Sequence, residues 1–424
     1  MLDIKLIREN PELVIEKLKL RGENTENIDK IKSLDEQRRS LLTKVESLKK
    51  IRNEASAEIG KLKAKRIDTT EKVEEMKKIS DEIKSLDDEI KKLEEQIQDL
   101  LYYIPALPSD SCPIGNSPED NVVIKVCGEE KQFDFKVKDH IELGELHDII
   151  DFERGTKITG RGFPLYKGKG AILERALINF MLDTHIINGY EEVLTPVLVN
   201  RKSMEAAEKV PKFEYDMYRI EEDDLFAIPT AEVPIINIHR DEIFNEEELP
   251  KKYCGFTNCF RREAGSYGKE TKGFLRVHQF NKVELINFCL PENSYREMEN
   301  MLLNACRILD ELKMYYRIVE LCTADLGFAA SKCYDLEVWS YAEKKWLEVS
   351  SISNCTDFQA RRGMIRIKRG GGTGKQKIEF AHILNGSGLA TSRLMVGLLE
   401  ANQTSNGNII IPEVLQKYTG FDVI

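Results

Sequence analysis

Cys259-Phe260-Arg261-Arg262-Glu263-Ala264-Gly265-Ser266, a polar run from Tyr267 to Gly273, and then Phe274-Leu275-Arg276-Val277-His278-Gln279-Phe280-Asn281-Lys282-Val283-Glu284 is the stretch whose reading decides the fold. It predicts two strands joined by a charged loop. By the period of two, positions 261/263 and 276/280/284 each share a face, which puts Arg261, Glu263, Arg276, Phe280 and Glu284 on a common sheet. Charges on a buried sheet face cost free energy unless they meet partners or ligands. One reading is a structural ion-pair ladder, such as Arg261 with Glu284. The other is a ligand site, and these residues alone leave both open.

Outward from this stretch, short β-like runs recur at Val122 to Val126, Glu191 to Pro196, Phe256 to Arg261, Val277 to Asn287, Tyr334 to Trp339 and Trp346 to Ser351, mixed with helical segments. The body, residues 111–424, is therefore expected to be α+β. A helix over Ala171 to Ile187 ends at Asn188-Gly189, and a strand follows into Pro196. Residues 105–120 are rich in Pro, Ser, Asn and Gly, which breaks a helix and marks a domain boundary, leaving residues 1–110 as a separate N-terminal domain.

That first domain carries two helical seams. Positions 31, 34, 38, 41, 45, 48, 52, 55, 59 and 62 follow alternating steps of three and four and are mostly apolar. The step resumes through Met76, Ile79, Ile83, Leu86, Ile90, Leu93, Ile97, Leu100 and Ile104. A connection at about 64–70 is short enough to favour antiparallel neighbours, so a long coiled-coil hairpin over about 30–103 is expected, with Thr70 and Glu71 capping its second helix. Residues 38–66 hold ten Lys or Arg against three Glu, a net of +7, whereas residues 71–100 have a net of −5. Such a division suits either two helices that attract each other or a basic rail for a phosphate backbone. Arg38 and Arg52 stand in seam register where a zipper would prefer Leu, which favours the rail without deciding it.

Composition excludes other classes. A 424-residue chain with 41% apolar residues can bury a substantial core. No apolar run is long enough for a membrane span or a signal peptide, and nine scattered cysteines without a C-x-x-C pair suggest neither disulfides nor a zinc site. A cytoplasmic protein is expected. The overall charge of −10 on its face speaks against a nucleic-acid partner, the basic arm being a local exception, and neither DNA nor a membrane is expected as partner. Gly370 to Gln376 imitates a phosphate loop, but the glycine needed ahead of Gly374-Lys375 falls at Arg369 and Gln376 replaces the magnesium-binding hydroxyl, so a surface loop is expected.

Three segments in order carry a resemblance. Phe260-Arg261-Arg262-Glu263 resembles motif 2 of class II aminoacyl-tRNA synthetases, Gly386-Ser387-Gly388-Leu389-Ala390-Thr391-Ser392-Arg393 resembles motif 3, and Gly170 to Pro196 resembles motif 1. Pro229-Thr230-Ala231-Glu232-Val233-Pro234, Arg276 to Phe280, Ser350 to Cys355 with Asp357 to Arg362, Leu384 to Ala390, the opening Leu2 to Pro11 and the arm narrow the likeness to seryl-tRNA synthetases. It spans essentially the whole chain. Two departures, Thr391 for a small apolar residue and Cys333 for a polar or basic one, are expected to touch no matched site residue.

The resemblance implies an antiparallel catalytic sheet with flanking helices, a homodimer through motif 1, and a reaction in which serine is activated by ATP as an adenylate and passed to tRNA(Ser), with tRNA(Sec) an open second substrate. It implies that Arg261 holds the α-phosphate and the serine carboxylate, Arg393 the γ-phosphate, and that Phe280 stacks on adenine with Glu263 at its polar edge. Arg262, Val277, Val349 and Ser350 complete the implied ATP site, and Glu348 and Ser351 would bind Mg²⁺ as hard oxygen donors. For L-serine the implied residues are Thr230, Ala231 and Glu232 at the ammonium, with Glu284 and Ser387 at the hydroxyl. The implied tRNA contacts are Arg38, Lys44, Lys49, Arg52, Lys61, Lys63 and Lys65. A coiled-coil scaffold with a degenerate body, a paralogue serving a carrier protein, and a threonine or proline specificity all fit this set of residues less well.

Overall fold

The computed structural model describes residues 1–263, 273–370 and 376–424; the middle of the loop after Glu263 and most of the glycine-rich run after Gly370 lie outside the described residues. The chain divides into two compact units, Leu2–Pro105 and Ala106–Ile424 with Met1.

In the first unit two short helices, α1 (Ile4–Glu9) and α2 (Pro11–Leu20), precede two long ones, α3 (Glu26–Ala64, 39 residues) and α4 (Thr70–Leu101, 32 residues). Val45, Ile83, Leu86 and Ile90 form the apolar heart of the hairpin, and the expected seam positions are all buried or half-buried. Ion pairs cross it from Arg38 with Glu94 near one end to Glu58 with Lys72 near the other, with Lys44–Glu82 and Lys49–Asp87 between them, the trend of an antiparallel pair. The charge division thus has an internal use in part. Arg38 also reaches Asp35, a buried carboxylate that Arg8 bonds from α1, so its place in the seam is explained by a polar junction at the base of the hairpin. The cap of α4 differs from expectation. Thr70 is the first helical residue, and it is the Asp68 carboxylate that accepts the Thr70 amide (3.0 Å) and hydroxyl (2.7 Å), bonds that hold its pKa below the usual value.

The second unit is built on an eight-stranded sheet: β1 (Val122–Cys127), β2 (Glu191–Glu192), β3 (Lys251–Phe260), β4 (Gln279–Cys289), β5 (Tyr316–Glu320), β6 (Lys332–Ser340), β7 (Lys345–Asn354) and β8 (His382–Ala390). The spatial order is β1-β5-β6-β7-β8-β4-β3-β2, antiparallel throughout except for the parallel β2–β3 edge. β2 is shorter than expected; its pairing fades well before Pro196, which has no N–H to donate. Four helices of this unit bear on the site: α5 (Lys169–Ile187), α6 (Glu232–Asn237), α7 (Ser294–Glu311) and α8 (Thr391–Ala401). Of these, α5, α7 and α8 pack on one face of the sheet.

β4 shows why the opposite face is free for chemistry. Val283 and Leu285 point into the helical layer and are completely buried in the main core. Phe280, Lys282 and Glu284, alternating with them, line a cavity on the other side. Farther along, Ile286 and Phe288 lie in a second core with Ile235 and Ile236 of α6. The helix of the first resembling segment is tied to the sheet by a buried carboxylate: Glu174 Oε1 accepts from Asn281 (2.7 Å) and from the Thr391 hydroxyl, and burial raises its pKa. Thr391 therefore has a polar partner that a small apolar residue could not serve.

Candidate active site

The cavity encloses about 560 Å³ above β3, β4, β7 and β8. Arg261 follows directly on β3, and its guanidinium lies over the Phe280 ring, 5.1 Å from the centroid. One bond fixes it, Nε to the Pro229 carbonyl at 3.4 Å; its terminal amino groups have no hydrogen-bond partner among the described residues and line the cavity. The expected Arg261–Glu284 ladder does not form, because Glu284 takes its cation from its own strand. Lys282 Nζ sits 2.5 Å from Glu284 Oε2, and the Thr230 hydroxyl donates to the same oxygen at 2.8 Å. Both of these contacts are made by Oε2, and the carboxylate lines the cavity. Burial raises the Glu284 pKa, with Lys282 and Thr230 opposing it and Glu232 adding to it. Nor do Glu263 and Arg276 belong to the ladder. Both lie off the strands, Glu263 at a φ of +50°, and they pair with each other.

Thr230 also accepts the Glu232 amide (3.1 Å) at the start of α6, so its hydroxyl has one defined proton direction, toward Glu284. The Glu232 carboxylate is closed in by Gln359 (2.6 Å), Asn385 (3.0 Å) and Lys209 (3.0 Å). Lys209, half-buried and also paired with Glu208, keeps its proton because those two carboxylates outweigh the desolvation that would remove it. Ser387 stands opposite Glu284 on β8 and lines the same end of the cavity.

At the other end, Glu348 and Ser351 both line the cavity although an odd spacing should put them on opposite faces. A bulge in β7 accounts for this: Ser350 pairs with Leu336 and Glu348 with Glu337, so Val349 is an extra residue that re-aims the chain. Arg393 Nη1 lies 3.3 Å from Glu348, and both are substantially exposed, so the pair is weak and exchangeable for stronger ligands. Among the described residues no three His, Cys, Asp or Glu side chains cluster as a metal site. Cys333 departs from expectation, lying 3.1 Å from Ser351 Oγ; burial raises its pKa, so it stays a neutral thiol beside that hydroxyl.

Of the serine, ATP and Mg²⁺ residues that the sequence suggests, three do not line the cavity. Ala231 is buried at the start of α6. Ser350 spends its hydroxyl on the Ser387 carbonyl (2.7 Å). Arg262 turns away, its guanidinium 5.9 Å from the Tyr218 ring centroid. The rest, including Val277, Val349 and Glu263, line it together. Lys209, Lys282, Gln359 and Asn385 join the site without having been singled out by the sequence. Lys282 is within reach of sequence reasoning, since position 282 shares the 280/284 face.

The N-terminal 108 residues match the family model "Seryl-tRNA synthetase N-terminal domain", and residues 212–402 match "tRNA synthetase class II core domain (G, H, P, S and T)". A serine–tRNA ligase from Chloroherpeton thalassium is 52% identical over 429 residues, covering 100% of both chains. The chain belongs to the seryl-tRNA synthetase family. Another of its members, the serine–tRNA ligase of Caldanaerobacter subterraneus, is 48% identical over 100% of this chain and 99% of its own. Two solved seryl-tRNA synthetase structures align over 100% of the chain: that of Pyrococcus horikoshii complexed with ATP (TM-score 0.91, 39% identity, 99% of its own chain covered) and that of Naegleria fowleri with AMP (0.88, 30%, 98%). The cavity described above is lined almost wholly from the stretch that the synthetase core model matches.

Proposed function

We propose that this cavity activates L-serine with ATP to seryl-adenylate and pyrophosphate, and that the chain then transfers serine to tRNA(Ser). The observation that carries the reading is the Glu284 carboxylate: one oxygen is held by Thr230 and Lys282, and the group lines the cavity, where its other oxygen can meet a ligand. A site that holds an acceptor for a hydroxyl rejects alanine by a factor of about 10⁴ or more, because the acceptor would be left unpaired. At this end Glu208, Glu232 and Glu284 outnumber Lys209 and Lys282, an excess of carboxylate that favours the ammonium of an amino acid beside Thr230, Ala231 and Glu232. Ser387 adds a second group for the hydroxyl.

In the other half, the uncommitted amino groups of Arg261 suit the serine carboxylate and the α-phosphate, Arg393 the γ-phosphate, and Phe280 adenine, with Glu263 at the polar edge. Arg262, Val277, Val349 and Ser350 serve this half through backbone position more than through side chains. The donor chemistry of Glu348 and Ser351 fits Mg²⁺, a cation that takes few protein oxygens and keeps water and phosphate as its other ligands. When bound, it would neutralise phosphate charge. Exchange of labelled pyrophosphate into ATP with serine, followed by charging of tRNA(Ser), tests the reading, and tRNA(Sec) is run beside it as a second substrate.

Lys282 gives a prediction with a sign. It opposes the burial that raises the Glu284 pKa, so Lys282→Met moves that pKa further up and protonates the acceptor at higher pH. The kcat/KM for serine is expected to fall about tenfold at neutral pH, one pKa unit being a tenfold change in charged population, and to recover as pH rises. Parallel pH profiles for variant and wild type would contradict it.

The enzyme acts as a homodimer. Ile187 (74% exposed) ends the motif 1-like helix and Leu194 (87%) lies beyond it, apolar surface that a partner copy would cover. Sedimentation should give twice the chain mass, with Leu194→Glu shifting it downward; a monomeric mass at micromolar concentration with full activity would refute this. The compartment is the cytoplasm, whose reducing conditions suit nine free cysteines. No helix among the described residues is long and apolar enough to cross a membrane.

A further inference from the structure

Helix α8 grips the segment that re-enters the sheet ahead of β4 at two points. Arg393 Nε donates to the Leu275 carbonyl at 3.1 Å. Seven residues on, two turns along the same face, Glu400 is completely buried, its Oε2 accepting from the Ser340 hydroxyl (2.7 Å) and the Ala342 amide (3.1 Å). Glu400 Oε1 faces His140 Nδ1 at 3.5 Å, and neither atom has a hydrogen-bond partner among the described residues. On its far side His140 accepts the Phe274 amide on Nε2 at 3.1 Å. A ring nitrogen that accepts carries no proton, so the proton of the neutral ring is on Nδ1, the nitrogen on the Glu400 side.

Gly273 is pressed against the same ring. Its φ is +60°, and a Cβ there would stand 2.0 Å from Nε2. The Phe274 side chain is completely buried and stacks on Tyr166, centroids 5.1 Å apart. The next three residues, Leu275, Arg276 and Val277, line the cavity.

We propose that His140 is a positioning residue for the ATP half of the reaction. Its Nε2 holds the Phe274 amide, with Glu400 beside the other ring nitrogen, and this bond sets where Leu275 to Val277 enter the cavity and keeps the Leu275 carbonyl on Arg393. A packing role would need the ring's volume alone, whereas this role needs the acceptor. The inference rests on the reading of Arg393 and Val277 as ATP-binding residues.

The test compares three variants in pyrophosphate exchange. His140→Phe keeps the ring without the acceptor, His140→Gln restores an acceptor near the Nε2 position, and Gly273→Ala displaces the segment from the other side. The KM for ATP is expected to rise about tenfold in His140→Phe and Gly273→Ala, the scale of removing one buried hydrogen bond, with the KM for serine unchanged and most of the effect reversed in His140→Gln. Deuterium uptake at the Phe274 amide should quicken in His140→Phe and slow again in His140→Gln. ATP and serine constants that shift together, or a folded His140→Gln no better than His140→Phe, would overturn it. If His140→Phe does not fold, Gly273→Ala against wild type decides, and absence of the ATP-specific rise overturns the inference. Arg393→Ala separates the two levels: an unchanged KM for ATP there would remove the ATP reading itself, while a raised value there with none in folded His140→Phe would remove the role of His140 alone.

Discussion

Arg261→Ala is expected to abolish serine-dependent pyrophosphate exchange, lowering its rate by a factor of about 10²–10³, the usual cost of one preorganised electrostatic group. The structure supplies the reason in the free protein. The guanidinium is held over Phe280 and by a single long bond to Pro229, so its position is defined while its terminal donors stay uncommitted. Charge that develops on the α-phosphate during attack then meets donors that need no reorganisation. Arg261→Lys should recover little, since one ammonium cannot bridge a carboxylate and a phosphate as a planar fork does. The fold should survive, because Arg261 makes no buried ion pair among the described residues; melting temperature and the KM for each substrate check this. A folded variant with near-normal exchange would contradict the role.

The second large effect separates the arm from the chemistry. Replacing residues 50–81 by a short glycine-containing turn removes the outer hairpin but keeps the Asp35–Arg38–Glu94 junction and the Lys44–Glu82 and Lys49–Asp87 pairs. Pyrophosphate exchange should be nearly unchanged, while charging of tRNA(Ser) should fall by about two or more orders of magnitude once the outer cations no longer meet the phosphate backbone. Within the proposed set of tRNA-binding cations the structure makes a distinction. Arg38, Lys44 and Lys49 each have an acidic partner, whereas Arg52, Lys61, Lys63 and Lys65 have none among the described residues. Neutralising the latter four should flatten the salt dependence of tRNA binding by about 0.7–0.9 log–log unit for each phosphate no longer neutralised, and neutralising the former should act mainly on hairpin stability. Undiminished charging by the shortened protein would return the hairpin to a plain coiled coil.

Much of this is legible in the sequence because periodicity reports local geometry. The hairpin seams and the alternation of β4 follow from steps of three and four and from steps of two, and burial agrees with both. What escapes such reading needs three dimensions. Lys282 and Thr230 meet at Glu284 from different elements, and nothing in the spacing tells which cation a buried carboxylate takes. The Glu348–Ser351 pair depends on a bulge that no local residue type announces. Arg38 reads as a seam exception pointing outward to a ligand, but its Asp35 partner is three residues away and buried by α1, so the short-range pair is readable and its burial is not. Cys333 reads as standing apart from the site because strand pairing, which sets it beside Ser351, is a tertiary fact.

Exchange of pyrophosphate into ATP across a panel of serine, alanine, glycine, cysteine and threonine tests the central claim most directly. Exchange is expected with serine alone, alanine falling below it by a factor of about 10⁴ because the Glu284 carboxylate would lose its hydroxyl partner in the closed site. Exchange with alanine or threonine at a rate comparable to serine would contradict it.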